Sequence, residues 1–113
     1  MPETLGDRIR RRRGELNLTL REAAKRLGKS ATILSRLEGN KEKTPLKEET
    51  IRKLAEVLQD SFDELMLLAG KVPHDVVSAM KNDPGLPEFL RQARKENVSA
   101  EQLMDMLPKK GKS

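Results

Sequence analysis

The sequence predicts an all-α protein: five short helices in one bundle over residues 1–70, then a helical extension over 71–107. Three observations carry this. Apolar residues recur at steps of three and four along most of the chain, and no segment alternates with the period of two that a half-buried strand needs. Ser or Thr stands three residues before Glu or Gln at Thr19-Glu22, Ser61-Glu64 and Ser99-Gln102, the capping-box pattern of a helix start. Gly28, Gly39 and Gly70 fall just past apolar runs, where a helix reverses with least strain.

Each element follows from these signals. Leu5 to Leu16 sets Leu5, Ile9, Arg13 and Leu16 on one stripe. Thr19 caps a second helix whose inner side is Leu20, Ala23, Ala24 and Leu27. Ser30 caps a third, with Leu34, Leu37 and Glu38 on one face, and Gly39-Asn40 stops it because both residue types tolerate positive φ. Lys41 to Lys47, with Pro45, is a polar loop. A fourth helix runs from about Leu46 to Leu58, with Ile51, Leu54, Ala55 and Leu58 inward. The fifth carries Phe62, Leu65, Leu68 and Ala69. Beyond Gly70, Val76, Val77 and Met80 mark a short helix broken at Asp83-Pro84-Gly85. Leu86, Phe89, Leu90 and Ala93 restore helical spacing, and Leu103, Met106 and Leu107 follow Ser99 until Pro108. Residues 108–113 hold three lysines and no apolar residue after the proline, which predicts a disordered basic tail.

Composition narrows the function. Lys and Arg total 23 against 18 Asp and Glu in 113 residues. The excess is concentrated in residues 1–41, with eleven basic against five acidic side chains. Its densest part is Arg8 and the run Arg10 to Arg13, which reads either as attraction to nucleic acid or anionic lipid or as a solvated helix face. The absence of Cys removes disulfides, thiolate metal sites and cysteine nucleophiles. No apolar run approaches the roughly 18 residues needed to cross a bilayer, and the first thirteen residues lack the apolar stretch of a secretory signal. A cytoplasmic protein without membrane, metal or cofactor is expected. With one His, no Gly-rich phosphate loop and no convergent carboxylates, catalysis is not expected. The serines lie at helix starts, where capping accounts for them. Phe62 and Phe89 are assigned to the core and His74 to the surface; Met66, Met80, Met104 and Met106 are adaptable fillers, the last two marking a partner surface.

Residues 20 to 39 are the informative segment. Two short helices flank a Gly-centred turn, Ala24 allows their close approach, and Leu27, Leu34 and Leu37 pin both to a common core. These are the steric requirements of a helix-turn-helix, whose second helix stands proud for the DNA major groove. The run Leu18-Thr19-Leu20-Arg21-Glu22-Ala23-Ala24-Lys25-Arg26-Leu27-Gly28-Lys29-Ser30, continued by Leu34-Ser35-Arg36-Leu37-Glu38-Gly39-Asn40-Lys41 and Pro45, resembles the Cro/phage-repressor (XRE) helix-turn-helix family. Ile51, Leu54, Ala55 and Leu58, then Asp63-Glu64-Leu65, resemble the family's fourth and fifth helices. The likeness covers residues 5–69 and not 71–113. It implies a five-helix lambda-repressor-like domain binding double-stranded DNA, usually as a homodimer on a palindromic operator, and so a transcriptional regulator, here a repressor. Two positions depart from the pattern. Leu20 stands where the family often has a hydrogen-bonding Gln, and Asn40 where the family has Gly.

Arg13 falls on the apolar stripe of the first helix and Glu38 on that of the third. A lone buried charge is very costly, so the two are expected to meet as an ion pair. With Leu34 inward, about 100° per residue turns Thr32 and Arg36 outward. Arg36 can bridge O6 and N7 of guanine; Thr32 can donate to a base, and Ala31 or Ile33 can touch a thymine methyl. By family position the base-facing set is Ser30, Ala31, Thr32, Ser35 and Arg36. Lys41 and Lys43 after the recognition helix, Thr19 and Arg21 at the start of the second helix, and Arg10 in the basic run are the phosphate candidates. The alternative is an antitoxin or adaptor whose residues 71–107 engage a partner protein.

Overall fold

The computed structural model describes residues 3–107. These form eight helices: α1 (Leu5–Glu15), α2 (Leu20–Leu27), α3 (Ala31–Glu38), α4 (Glu48–Leu58), α5 (Phe62–Leu68), α6 (His74–Lys81), α7 (Leu86–Lys95) and α8 (Ala100–Met106). They divide into two compact units, one ending at Pro73 and the other beginning at His74. The basic tail expected at 108–113 lies outside the described residues.

In the first unit the helix starts are fixed by side chains. Thr19 Oγ1 accepts the Glu22 N–H at 3.1 Å while the Glu22 carboxylate accepts the Thr19 N–H at 2.8 Å. Thr4 and Asp7 do the same for α1, a box that the Ser/Thr-to-Glu/Gln pattern does not cover. Ser30 Oγ accepts the Ile33 N–H at 3.1 Å. Each cap contributes about 1 kcal/mol. One boundary and one cap differ from the sequence reading. α4 begins at Glu48 rather than Leu46, because Lys47 is extended at the cap position. The Ser61-Glu64 box is half formed: Ser61 Oγ accepts the Glu64 N–H, but the Ser61 N–H goes to Asp60 and the Glu64 carboxylate to Arg8.

Ile9, Leu34, Ile51, Leu54, Leu58, Leu65 and Met66 form the centre of the core. Ala23 and Ala24 are buried where α2 packs on α3 and α4. Gly28 closes α2 at φ 77°, so the chain can turn directly into α3. Phe62 is half-buried against this core, with the Arg52 guanidinium 4.0 Å from its ring centre.

Helix α1 is fastened at both ends of the bundle. Its N-terminus meets the C-terminus of α3 at Gly6, where a Cβ would stand 2.5 Å from the carbonyl oxygens of Leu37 and Glu38. Its other face meets the α4–α5 junction. Arg8 donates to both oxygens of Asp60, at 2.8 and 2.9 Å, and Arg12 donates to the carbonyls of Leu58 and Gln59 at 3.0 Å each.

In the second unit Ser99 and Gln102 form their capping box, with bonds of 3.1 and 2.8 Å. No residue of α6, α7 or α8 is buried. Phe89 is 51% exposed, so its assignment to a core is corrected. Three helices of this length carry too little apolar mass to enclose a phenyl ring.

The Gly6 contact gives a signed test in one helix. Gly6→Ala places its methyl against backbone carbonyls and is expected to cost about 3 kcal/mol. Gly14→Ala, whose Cβ meets nothing within 4 Å, is expected to stabilise α1 by about 0.5–1 kcal/mol. Urea unfolding of both variants measures the difference. A second test concerns pH. The Arg8 hydrogen bond, supported by the Ser61 N–H, holds the Asp60 carboxyl below the ordinary carboxylate range. Its contribution is therefore full above about pH 4 and is lost as pH falls through the lowered value. Asp60→Asn is expected to cost about 3 kcal/mol at pH 7 and to flatten the acid limb of the stability curve.

Candidate nucleic-acid interface

The site is organised by one buried carboxylate. Glu38, at the last position of α3, is 4% exposed. Arg13 Nε donates to its Oε2 at 2.6 Å and Nη2 to its Oε1 at 2.9 Å. Arg13 Nη1 also donates to the Leu18 carbonyl at 3.1 Å, just before the α2 cap. One guanidinium thus ties α1 to the end of α3 and the approach to α2. The hydrogen bonds to Glu38 hold its proton more firmly than in a free arginine.

Asn40 makes the second tie. It takes φ 57°, the left-handed conformation that Gly would adopt freely. Its Oδ1 accepts the Gly6 N–H at 3.1 Å, and its Nδ2 donates to Thr4 Oγ1 at 2.9 Å. The departure from Gly therefore serves as a clamp between the end of α3 and the start of α1. Sequence reasoning found the φ but not the clamp, since nothing local marks residues 34 and 36 positions apart as partners.

With α3 held in this way, its outer face borders an open hollow of about 520 Å³, lined by Arg10, Leu20, Ala31, Thr32, Ser35, Arg36, Gly39 and Lys41. Four of the five base-facing candidates line it: Ala31 is half-buried, and Thr32, Ser35 and Arg36 are exposed. The fifth, Ser30, is exposed beside it with its hydroxyl engaged in the α3 cap. Ile33 instead packs against the core. Of the phosphate candidates, Arg10 and Lys41 line the hollow, while Thr19, Arg21 and Lys43 are exposed and do not. Thr19 Oγ1 is engaged by the Glu22 N–H. The residue that sequence reasoning missed here is Leu20, half-buried and lining the hollow.

Most of the basic run is held in ion pairs within the fold. Arg8 is bound by Asp60 and Glu64, Arg11 by Glu3 and Glu15, Arg12 by Glu15, and Arg13 by Glu38. Arg10 is the member of the run that lines the hollow, 64% exposed and only loosely held, with Nε 3.5 Å from Glu38 Oε1. Arg36, Lys41, Arg21 and Lys43 make no salt bridge among the described residues. No group of three or more His, Asp or Glu is placed to hold a metal among them, and no helix is long and apolar enough to cross a membrane.

A short α2, a glycine turn and an α3 with a free polar face define a helix-turn-helix protein of the lambda-repressor-like fold. A helix-turn-helix domain family matches residues 6–71, and the chain belongs to this XRE-type family of DNA-binding transcription regulators. The chain is 40% identical over 70 residues to the HTH-type transcriptional repressor RghR of Bacillus subtilis (strain 168). That match covers 62% of this chain and 51% of the relative, so the chain spans about half the relative's length. The crystal structure of the clp gene regulator ClgR from Corynebacterium glutamicum shares the fold at 22% identity, with a TM-score of 0.51 over 86% of this chain and 94% of that one. The structure of a SinR protein/SinI protein complex is similar at 25% identity, with a TM-score of 0.51 over 90% and 89%.

Proposed function

We propose that the protein is a sequence-specific transcriptional repressor that binds a palindromic operator as a homodimer in the cytoplasm. The hollow carries this reading, because it gathers Thr32, Ser35, Arg36, Arg10 and Lys41 on the outer face of the helix-turn-helix. In this reading α3 enters the major groove, with Ser30 and Ala31 at its leading end. Arg36 reads a guanine through O6 and N7, and Thr32 and Ser35 contact neighbouring base edges. Arg10 and Lys41 bind phosphates at the rim of the hollow, helped by Arg21, Lys43 and the N-terminus of α2 at Thr19. Arg10 is suited to this because its hold on Glu38 is long and its side chain exposed. Two recognition helices about 34 Å apart fit successive turns of one DNA face, and occupancy excludes polymerase. The matched relative is itself called a transcriptional repressor, which agrees with this sign of regulation.

One observation favours a second reading. Phe89, Leu90, Met104, Met106 and Leu107 of the C-terminal unit are all exposed, and a similar solved structure is a complex of two proteins. An antitoxin or adaptor would engage its partner through this unit.

Selection from a random duplex pool at about 150 mM salt separates the two. The repressor reading expects a palindrome with half-sites one helical turn apart. On that site Arg36→Ala is expected to cost about 1–3 kcal/mol per half-site and relax one base position. Lys41→Ala is expected to weaken all sequences alike and lower the salt slope by about one. No enriched sequence from folded protein would favour the adaptor.

A further inference from the structure

We infer that the hollow contains an apolar subsite for the 5-methyl group of a pyrimidine, built by Leu20 and Ala31, and that thymine is the base it takes. This rests on the DNA-binding reading. Leu20 is the first residue of α2 and Ala31 the first of α3, and the two helix starts line the same hollow as Arg36. Both side chains are half-buried and packed on the core, so the wall they form is held in place. The leucine side chain can neither donate nor accept a hydrogen bond, so the group it favours in the groove is apolar. The major groove presents one such group, the C5-methyl of thymine, shared in kind by 5-methylcytosine. Ala31 and Arg36 are five residues apart on α3, about 7.5 Å along its axis at 1.5 Å per residue. That is about two base-pair steps of 3.4 Å. The methyl therefore lies within about three base pairs of the guanine assigned to Arg36. Covering one methyl is expected to change affinity about fourfold per half-site.

The test uses the full-length protein and the sequence selected from the random pool. Each thymine is replaced in turn by deoxyuridine, which removes only the methyl, and each cytosine by 5-methylcytosine. The inference expects one deoxyuridine position, in that window, to weaken binding about fourfold per half-site. Leu20→Ala should bind the thymine and uracil sites equally, and Leu20→Met, still apolar and of similar volume, should retain the preference. A gain on methylating a cytosine in the window, lost in Leu20→Ala, supports the same subsite with methylated DNA as the source. Indifference of the wild type to every methyl overturns the subsite and leaves the repressor reading standing. So does a uracil penalty that persists in folded Leu20→Ala. A pool with no enriched sequence overturns both.

Discussion

A carboxylate removed from water needs a partner, and Glu38 is removed from water at the last position of α3. Arg13 answers it with two hydrogen bonds and uses its remaining nitrogen on the Leu18 carbonyl. Desolvation of the two charges offsets most of their attraction, so the pair adds little net stability. Its consequence is directional. A planar guanidinium satisfied on two sides fixes where α3 ends relative to α1 and where α2 begins. Gly6 and Asn40 reinforce the same junction, Gly6 by letting the backbones touch and Asn40 by bridging them. The outer face of α3 and the hollow beside it are set by this junction.

The distribution of charge follows the same logic. A run of arginines on one helix looks from the sequence like a surface for polyanions. In the fold, its members project around α1 at 100° intervals and meet carboxylates from four directions. Asp60 and Glu64 take Arg8, Glu3 and Glu15 take Arg11, Glu15 takes Arg12, and Glu38 takes Arg13. The cations left toward the hollow are few and come from separate elements: Arg10 from α1, Arg36 from α3, Lys41 from the turn. Net charge therefore says less about the interface than which charges there are free among the described residues, as Arg36 and Lys41 are, or loosely held, as Arg10 is.

Much of the fold was legible because its signals are local. Capping residues, glycine stops and the 3.6-residue period lie within a few positions of what they determine, and they specify α1 to α5 and the helix-turn-helix. The inward stripes place Arg13 and Glu38 on facing helices, and the side chains sit 2.6 Å apart. What escaped was set by distant partners. Arg8 and Asp60 are 52 positions apart, and no local pattern distinguishes that pairing from a solvated charge. The same separation of cause and effect diverted Glu64 from its capping box to Arg8. Phe89 failed for a different reason: periodicity reports an apolar face but not whether enough mass exists to cover it. In the sequence Leu20 stands out only for the hydrogen bond it lacks, whereas its place in the hollow depends on how α2 packs against α3.

The ties from Arg13 to Glu38 and from Asn40 to Gly6 and Thr4 hold α3 rigid in the free protein. Native-state amide hydrogen exchange on the free protein tests this directly. The amides of Leu34 to Glu38 are expected to exchange only by global unfolding, with the same free energy and denaturant dependence as those of Leu54 to Leu58 in the core of α4. Exchange of the α3 amides through a local opening, about 2 kcal/mol or more below the global value and insensitive to denaturant, would contradict it.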